Sequence, residues 1–117
     1  MNVADVLIAL RRESRKRAYI RRLEIRDHTP LMLKARLIIS PHLFIQIYRN
    51  DQFDTTNWVL IYNRQRIYGR DYLGGVWHRH PVDAPHTHDI SIEGRRTLTL
   101  TEFLDEVEAI LAEKGLP

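Results

Sequence analysis

Pro30-Leu31-Met32-Leu33-Lys34-Ala35-Arg36-Leu37-Ile38-Ile39-Ser40-Pro41 sets Leu31, Leu33, Ala35, Leu37 and Ile39 against Met32, Lys34, Arg36, Ile38 and Ser40. A repeat of two belongs to extended chain, whose successive side chains leave opposite faces, so the stretch predicts a strand with one buried face. The bounding prolines lack a backbone donor and mark its limits.

Outward from this strand the same pattern recurs. Leu43, Ile45 and Ile47 form the inward set of a next strand whose other face shows Phe44, Gln46 and Tyr48. The turn formers between Asn50 and Asn57 lead to a strand from Trp58 to Asn63, and Arg64-Gln65 to another from Arg66 to about Tyr72. On the N-terminal side, Ala18 to Asp27 reads as extended, with a slip in alternation near Arg21-Arg22 that suits a bulge or an edge strand. The links are short, and a parallel pair needs a crossover of a dozen or more residues, so the strands form an antiparallel meander.

A sheet with one apolar face needs a cover, and two terminal helices are available. Asn2 suits an N-cap, and Val3, Val6, Leu7 and Leu10 follow helical spacing. The apolar stripe then gives way to Arg11, Arg12, Arg15, Lys16 and Arg17, so the helix either ends near Ser14 or projects from the core. At the other end Thr99 and Glu102 fit a capping box. Leu100, Phe103, Leu104, Val107, Ile110 and Leu111 make a buried stripe, and Gly115 stands at the stop. Ile90 and Ile92 suggest one more short strand, with Glu93-Gly94-Arg95-Arg96 as a turn. The expected fold is α+β: an antiparallel meander of about five or six strands flanked by N-terminal and C-terminal helices, in a single domain spanning 1–117.

Cysteine is absent, which excludes a disulfide framework, a Cys-type zinc finger and a thiol nucleophile, and fits a reducing cytoplasm. No apolar run approaches the roughly 20 residues that span a bilayer, and no signal peptide is apparent. The basic first helix lacks the aromatic anchors of a membrane-surface helix, so no membrane is expected. The net charge of +3 is unevenly spread. Eight basic residues lie between Arg11 and Arg26 against Glu13 and Glu24, whereas the last seventeen residues hold five acids and only Lys114. Such asymmetry fits a polyanion-binding face carrying Arg11, Arg12, Arg15, Lys16, Arg17, Arg21 and Arg22; it also fits a merely solvated surface.

Four of the six histidines fall in Trp77-His78-Arg79-His80-Pro81-Val82-Asp83-Ala84-Pro85-His86-Thr87-His88-Asp89. In extended chain the spacing aims His78 with His80, and His86 with His88, to common sides, and the prolines between imply a strand end, a rigid loop and a second short extended piece. Asp71, between Arg70 and Tyr72, leads into this segment through Leu73-Gly74-Gly75. Such a set supports metal-free RNA cleavage: one imidazole takes the 2′-hydroxyl proton, another protonates the leaving oxygen, and an arginine offsets phosphate charge. His86 and His88 are the first candidates for base and acid. His78 and His80 are candidates for the same roles or for orienting them, with Asp71 beside them and Arg70 and Arg79 on phosphate. Zinc held by the histidines with Asp71 or Asp89 is a second use, although no H-E-x-x-H helix is present. A third is purely structural.

Phosphate-loop, dinucleotide and serine-hydrolase motifs are missing. Trp58, Tyr62, Tyr48 and Tyr68 could stack bases, but strand aromatics more often pack across strands.

Arg70-Asp71, the pair ending in His80-Pro81, and Ala84-Pro85-His86-Thr87-His88 resemble the pattern of TumE-type toxins of bacterial and archaeal toxin-antitoxin modules. Those proteins share an Arg-(aromatic)-Asp piece, a His-His-Pro piece and a Pro-His-x-x-His piece. The likeness spans about residues 30–90 and is specific over the last thirty. Here Arg79 separates His78 from His80, the aromatic follows Asp71, and residues 72–77 look inserted. The resemblance implies a cytoplasmic toxin acting on RNA and partnered by a cognate DNA-binding antitoxin. No metal or cofactor is expected, and homodimerisation is left open. The alternatives are a non-catalytic nucleic-acid- or protein-binding module and a His-ligated metalloprotein.

Overall fold

In a computed structural model, which describes residues 1–117, the alternating stretch is the second strand of a six-stranded sheet. The elements in chain order are α1 (Val3–Lys16), β1 (Arg22–Thr29), β2 (Met32–Ser40), β3 (Leu43–Asn50), β4 (Thr55–Tyr62), β5 (Gln65–Leu73), β6 (Val76–His80) and α2 (Leu100–Lys114). The strands lie in sequence order and every neighbouring pair is antiparallel. Together with the two helices they make the expected α+β fold.

Two tight turns set the register of the half that matters most here. Asn63 and Arg64, with φ of 50° and 68°, join β4 to β5, and Gly74 and Gly75, with φ of 59° and 81°, join β5 to β6. Two-residue loops with positive φ at both positions match the right-handed twist of the strands they connect.

Leu33, Ala35, Leu37, Ile39, Leu43, Ile45, Ile47, Trp58, Leu60, Tyr68 and Trp77 leave one face of the sheet. They pack with Val3, Val6 and Leu10 of α1 and Phe103, Leu104, Val107 and Leu111 of α2. The Trp58 ring lies 5.2 Å from that of Trp77 and 5.5 Å from that of Phe103, so the aromatics Trp58 and Tyr68 serve the core. Asn2 caps α1 by accepting from the Asp5 amide, and Thr99 and Glu102 complete the capping box of α2.

Three local expectations are corrected. The first helix neither ends at Ser14 nor projects: it runs to Lys16, because Glu13 is buried and pairs with Arg17, which reaches Asp105 on α2 at 2.8 Å. The register slip falls between Ile25 and Asp27 instead of at Arg21-Arg22, putting the bulge midway along the edge strand β1. Ile90 and Ile92 form no strand. Ser91 donates its amide to Asp89 Oδ1 and Arg95 to the Ser91 carbonyl, which turns the chain and leaves both isoleucines exposed.

Both helices cover the same face. The opposite face, carrying Lys34, Arg36, Gln46, Tyr48 and Asn57, is bare over β2 to β4, while residues 81–89 fold over its β5–β6 end.

Candidate functional site

Asp71 on β5 faces His78 on β6 in the sheet register, and Gly69 faces His80. All three polar side chains therefore leave the face that the helices do not cover. His80 Nε2 lies 3.0 Å from Asp71 Oδ2, and His80 Nδ1 lies 3.1 Å from the Pro85 carbonyl oxygen. Asp71 and His80 are each only 4% exposed, because the loop after β6 closes over them. His78 Nδ1 stands 3.5 Å from Asp71 Oδ1, too far for a good hydrogen bond, and both atoms are buried without a partner. From the loop, exposed His88 stacks on His78 at 5.0 Å and meets His80 edge-on at 4.6 Å. One ligand atom each of Asp71, His80 and His88 lies within 4.8 Å of the others.

The loop that delivers His88 is tied down at its far end. Asp89 exchanges backbone hydrogen bonds with Arg79, and the Arg79 guanidinium donates to Asp89 Oδ2, with Nε at 2.8 Å. Hydrogen bonds from Ser91, reinforced by Arg79, hold the Asp89 carboxyl down at about 2. Gly94 presses on this corner so closely that a Cβ there would sit 2.1 Å from the Asp89 carbonyl oxygen.

The structure brings together His78, His80, His88 and Asp71. His86 is exposed and lies outside the ring contacts, because residues 85–87 form a turn that breaks the i, i+2 relation to His88. Arg70 and Arg79 pair with each other across β5 and β6 and leave the helix side of the sheet. Arg70, expected on phosphate, is fully buried there. It donates to both carboxylate oxygens of Glu106, at 3.2 and 2.7 Å, to Glu93 Oε1 at 3.3 Å and to the Glu93 carbonyl at 2.9 Å. Burial works against its charge, but the bonds and charge of Glu106 outweigh it and raise its pKa. Its role is to bind sheet, loop and α2 together.

Arg11, Arg12, Arg15 and Lys16 are exposed on α1, across the sheet from the histidines. Arg17 is occupied by Glu13 and Asp105, and Arg22 by Glu24, while Arg21 is exposed just ahead of β1. These groups do not adjoin the imidazole cluster.

The cations that share its face went unnoticed as site residues. One register row runs Lys34, Tyr48, Asn57, Asp71, His78 from β2 to β6, and the next runs Arg36, Gln46, Val59, Gly69, His80. A depression of about 560 Å³ at the β1–β4 end is lined by Arg26, Lys34, Arg36, Gln46, Tyr48 and Asn57. The Arg36 guanidinium lies 4.4 Å over the Phe44 ring. The signal was the outward half of the alternation that defines β2 and β3. At strand spacings of nearly 5 Å each row spans about 19 Å from β2 to β6.

No family model, no curated protein and no solved structure matches the chain. The likeness to TumE-type toxins thus rests on the motifs in residues 60–90. No helix is long and apolar enough to cross a membrane.

Proposed function

We propose that the uncovered sheet face takes single-stranded RNA and that the imidazole cluster at its end cleaves the phosphodiester without a metal. The observation that carries this reading is the pair of register rows joining Lys34 and Arg36 to His78 and His80. Cations at one end attract the backbone, Tyr48 offers ring surface to bases, and proton carriers stand at the other end. His88 is the accessible imidazole. It or His78 takes the 2′-hydroxyl proton, the 2′-oxygen bonds to phosphorus, and the bond to the 5′-oxygen breaks as the other imidazole protonates that oxygen. Asp71 and His80 position the rings.

The toxin assignment, with a prokaryotic cytoplasm and a cognate antitoxin as partner, draws its support from the TumE-like motifs. Expression in a host lacking the antitoxin tests it together with the chemistry. The wild type arrests growth and His88→Ala does not, while the purified variant still binds an RNA oligonucleotide. Undiminished arrest by His78→Ala/His88→Ala removes the histidine chemistry.

A second reading is a binding module whose histidines are scaffolding. The 5.0 Å stacking of His78 on His88 favours it, because a phosphate cannot lie between rings already in contact. Under that reading RNA is bound with a steep salt dependence and left intact.

A further inference from the structure

His80 poses a chemical problem that points to a cation. Nδ1 faces the Pro85 carbonyl at 3.1 Å, and a carbonyl can only accept, so Nδ1 carries hydrogen. A neutral ring then has its lone pair on Nε2, aimed at a carboxylate oxygen 3.0 Å away. Two acceptors in that position repel unless a positive centre lies between them. That centre is either a second ring proton or a metal ion. A backbone carbonyl on one ring nitrogen with the other left to coordinate is also the usual support of a metal-bound histidine.

The surroundings favour an ion. Asp71 Oδ1 is buried with no hydrogen-bond partner, and His78 Nδ1, 3.5 Å from it, has none either. A tetrahedral zinc site with bonds of about 2.0 to 2.2 Å separates its ligand atoms by about 3.3 Å. The Asp71 to His80 separation of 3.0 Å is already close to that value. The remaining closure, from within 4.8 Å, falls on His88, which is exposed on a loop and can swing inward. Imidazole nitrogens with one carboxylate suit zinc and its neighbours, whereas magnesium demands a shell of oxygens.

We infer that Asp71, His80 and His88 bind a divalent transition ion, with zinc as the fitting probe, and that filling the site withdraws His88 from proton transfer. Three protein ligands leave a coordination position open beside His78. The ion enters from the loop side, since His88 is the one exposed ligand.

Chelator-treated full-length protein titrated calorimetrically with Zn²⁺ tests this without RNA. The expected result is one saturable site per chain, weakened at least about 10-fold in His88→Ala and unchanged in His86→Ala. His88 is exposed, so its loss cannot be mistaken for unfolding, and His86 controls for adventitious capture by a histidine-bearing loop. No saturable binding, or equal weakening by both variants, overturns the site. Cleavage of RNA by the wild type is then slower in zinc than in chelator. Acceleration by zinc, with the binding pattern intact, would leave the metal site standing and overturn the metal-free chemistry proposed above.

Discussion

The Asp71 carboxylate meets the ring of its diagonal neighbour His80 at 3.0 Å on the side of the sheet that neither helix covers, and the Pro85 carbonyl holds the other nitrogen of that ring. The pair is buried by its own loop, so breaking it affects both stability and the placing of His88. Asp71→Ala leaves the buried His80 ring without its partner at Nε2 and is expected to cost about 1 to 3 kcal/mol, as such unpaired groups generally do. Urea denaturation measures the loss, and hydrogen exchange over residues 81–89 is expected to quicken. A variant as stable as the wild type would show that the contact holds nothing.

Two separate basic regions are candidates for the RNA contact proposed above, and charge reversal distinguishes them. Lys34→Glu/Arg36→Glu is expected to flatten the salt dependence of single-stranded RNA affinity by about 1.4 in log-log slope, two contacts at about 0.7 each. Reversing Arg11, Arg12 and Arg15 together is expected to change that slope little, since α1 lies on the other side of the sheet. Anisotropy titrations across a salt series report both. The opposite ranking would move the interface to α1.

Arg70 belongs to the fold. Its guanidinium has no exposed surface and joins β5 to Glu106 on α2 and to residues 93–94. Removing one partner of a buried ion pair typically costs about 3 to 5 kcal/mol, and Arg70→Ala is expected near the lower figure because Glu106 keeps some contact with water. Thermal unfolding gives the loss. At a temperature where the variant is folded, its RNA affinity should match that of the wild type; a large fall in affinity with full stability would place Arg70 on phosphate after all.

Gly94 is a positional requirement of the site although it touches none of its groups. Any Cβ at this position meets the Asp89 backbone at 2.1 Å, so Gly94→Ala must push the corner outward and carry His88 with it. The expected outcome is loss of the His88 ring contacts with His78 and His80, visible as imidazole chemical-shift changes, while amides of β2 to β4 stay in place. Unchanged histidine resonances would mean that the loop is not held from this side.

Glu13 gives α1 a pH-dependent attachment. Burial pushes its carboxyl up, but the hydrogen bonds from Arg17 and the charges of Arg17 and Lys16 outweigh it, and the net shift is downward from 4.5. Through Arg17 the cluster extends to Asp105 and Glu108 on α2. A carboxyl whose folded value is depressed stabilises above its unfolded value and loses that contribution as pH falls through the folded one. Glu13→Gln should therefore be less stable than the wild type at pH 7, by about 2 kcal/mol for a lost charge-assisted bond, with the gap narrowing below pH 4.5. Chemical denaturation at several pH values reads the difference; a constant gap down to pH 3 would contradict it.

The sheet and its helices were legible because their signals are local. Alternation in residues 31–48, turn formers at 50–57 and the Thr99–Glu102 capping box each depend on residues a few positions apart. The histidine pair on β6 was legible for the same reason, since i, i+2 neighbours on a strand share a face whatever surrounds them. His86 and His88 failed that rule because loop backbone, bent by the Ala84-Pro85 turn, has no fixed period.

Which charges accompany the histidines was a different kind of question. Arg70 and Asp71 are adjacent in the chain, yet strand alternation sends one into the core against Glu106 and the other to the imidazoles. Lys34 and Arg36, some forty residues from the cluster, join it through four successive strand pairings. By itself the sequence determined the elements, their order and the two-faced character of the sheet, all of which follow from backbone periodicity and turn chemistry. Only the tertiary structure decided which face the helices took and which distant residues lay in register there, because register across a sheet is set by pairing between strands and by the packing of one face, neither of which is written in any short stretch of chain.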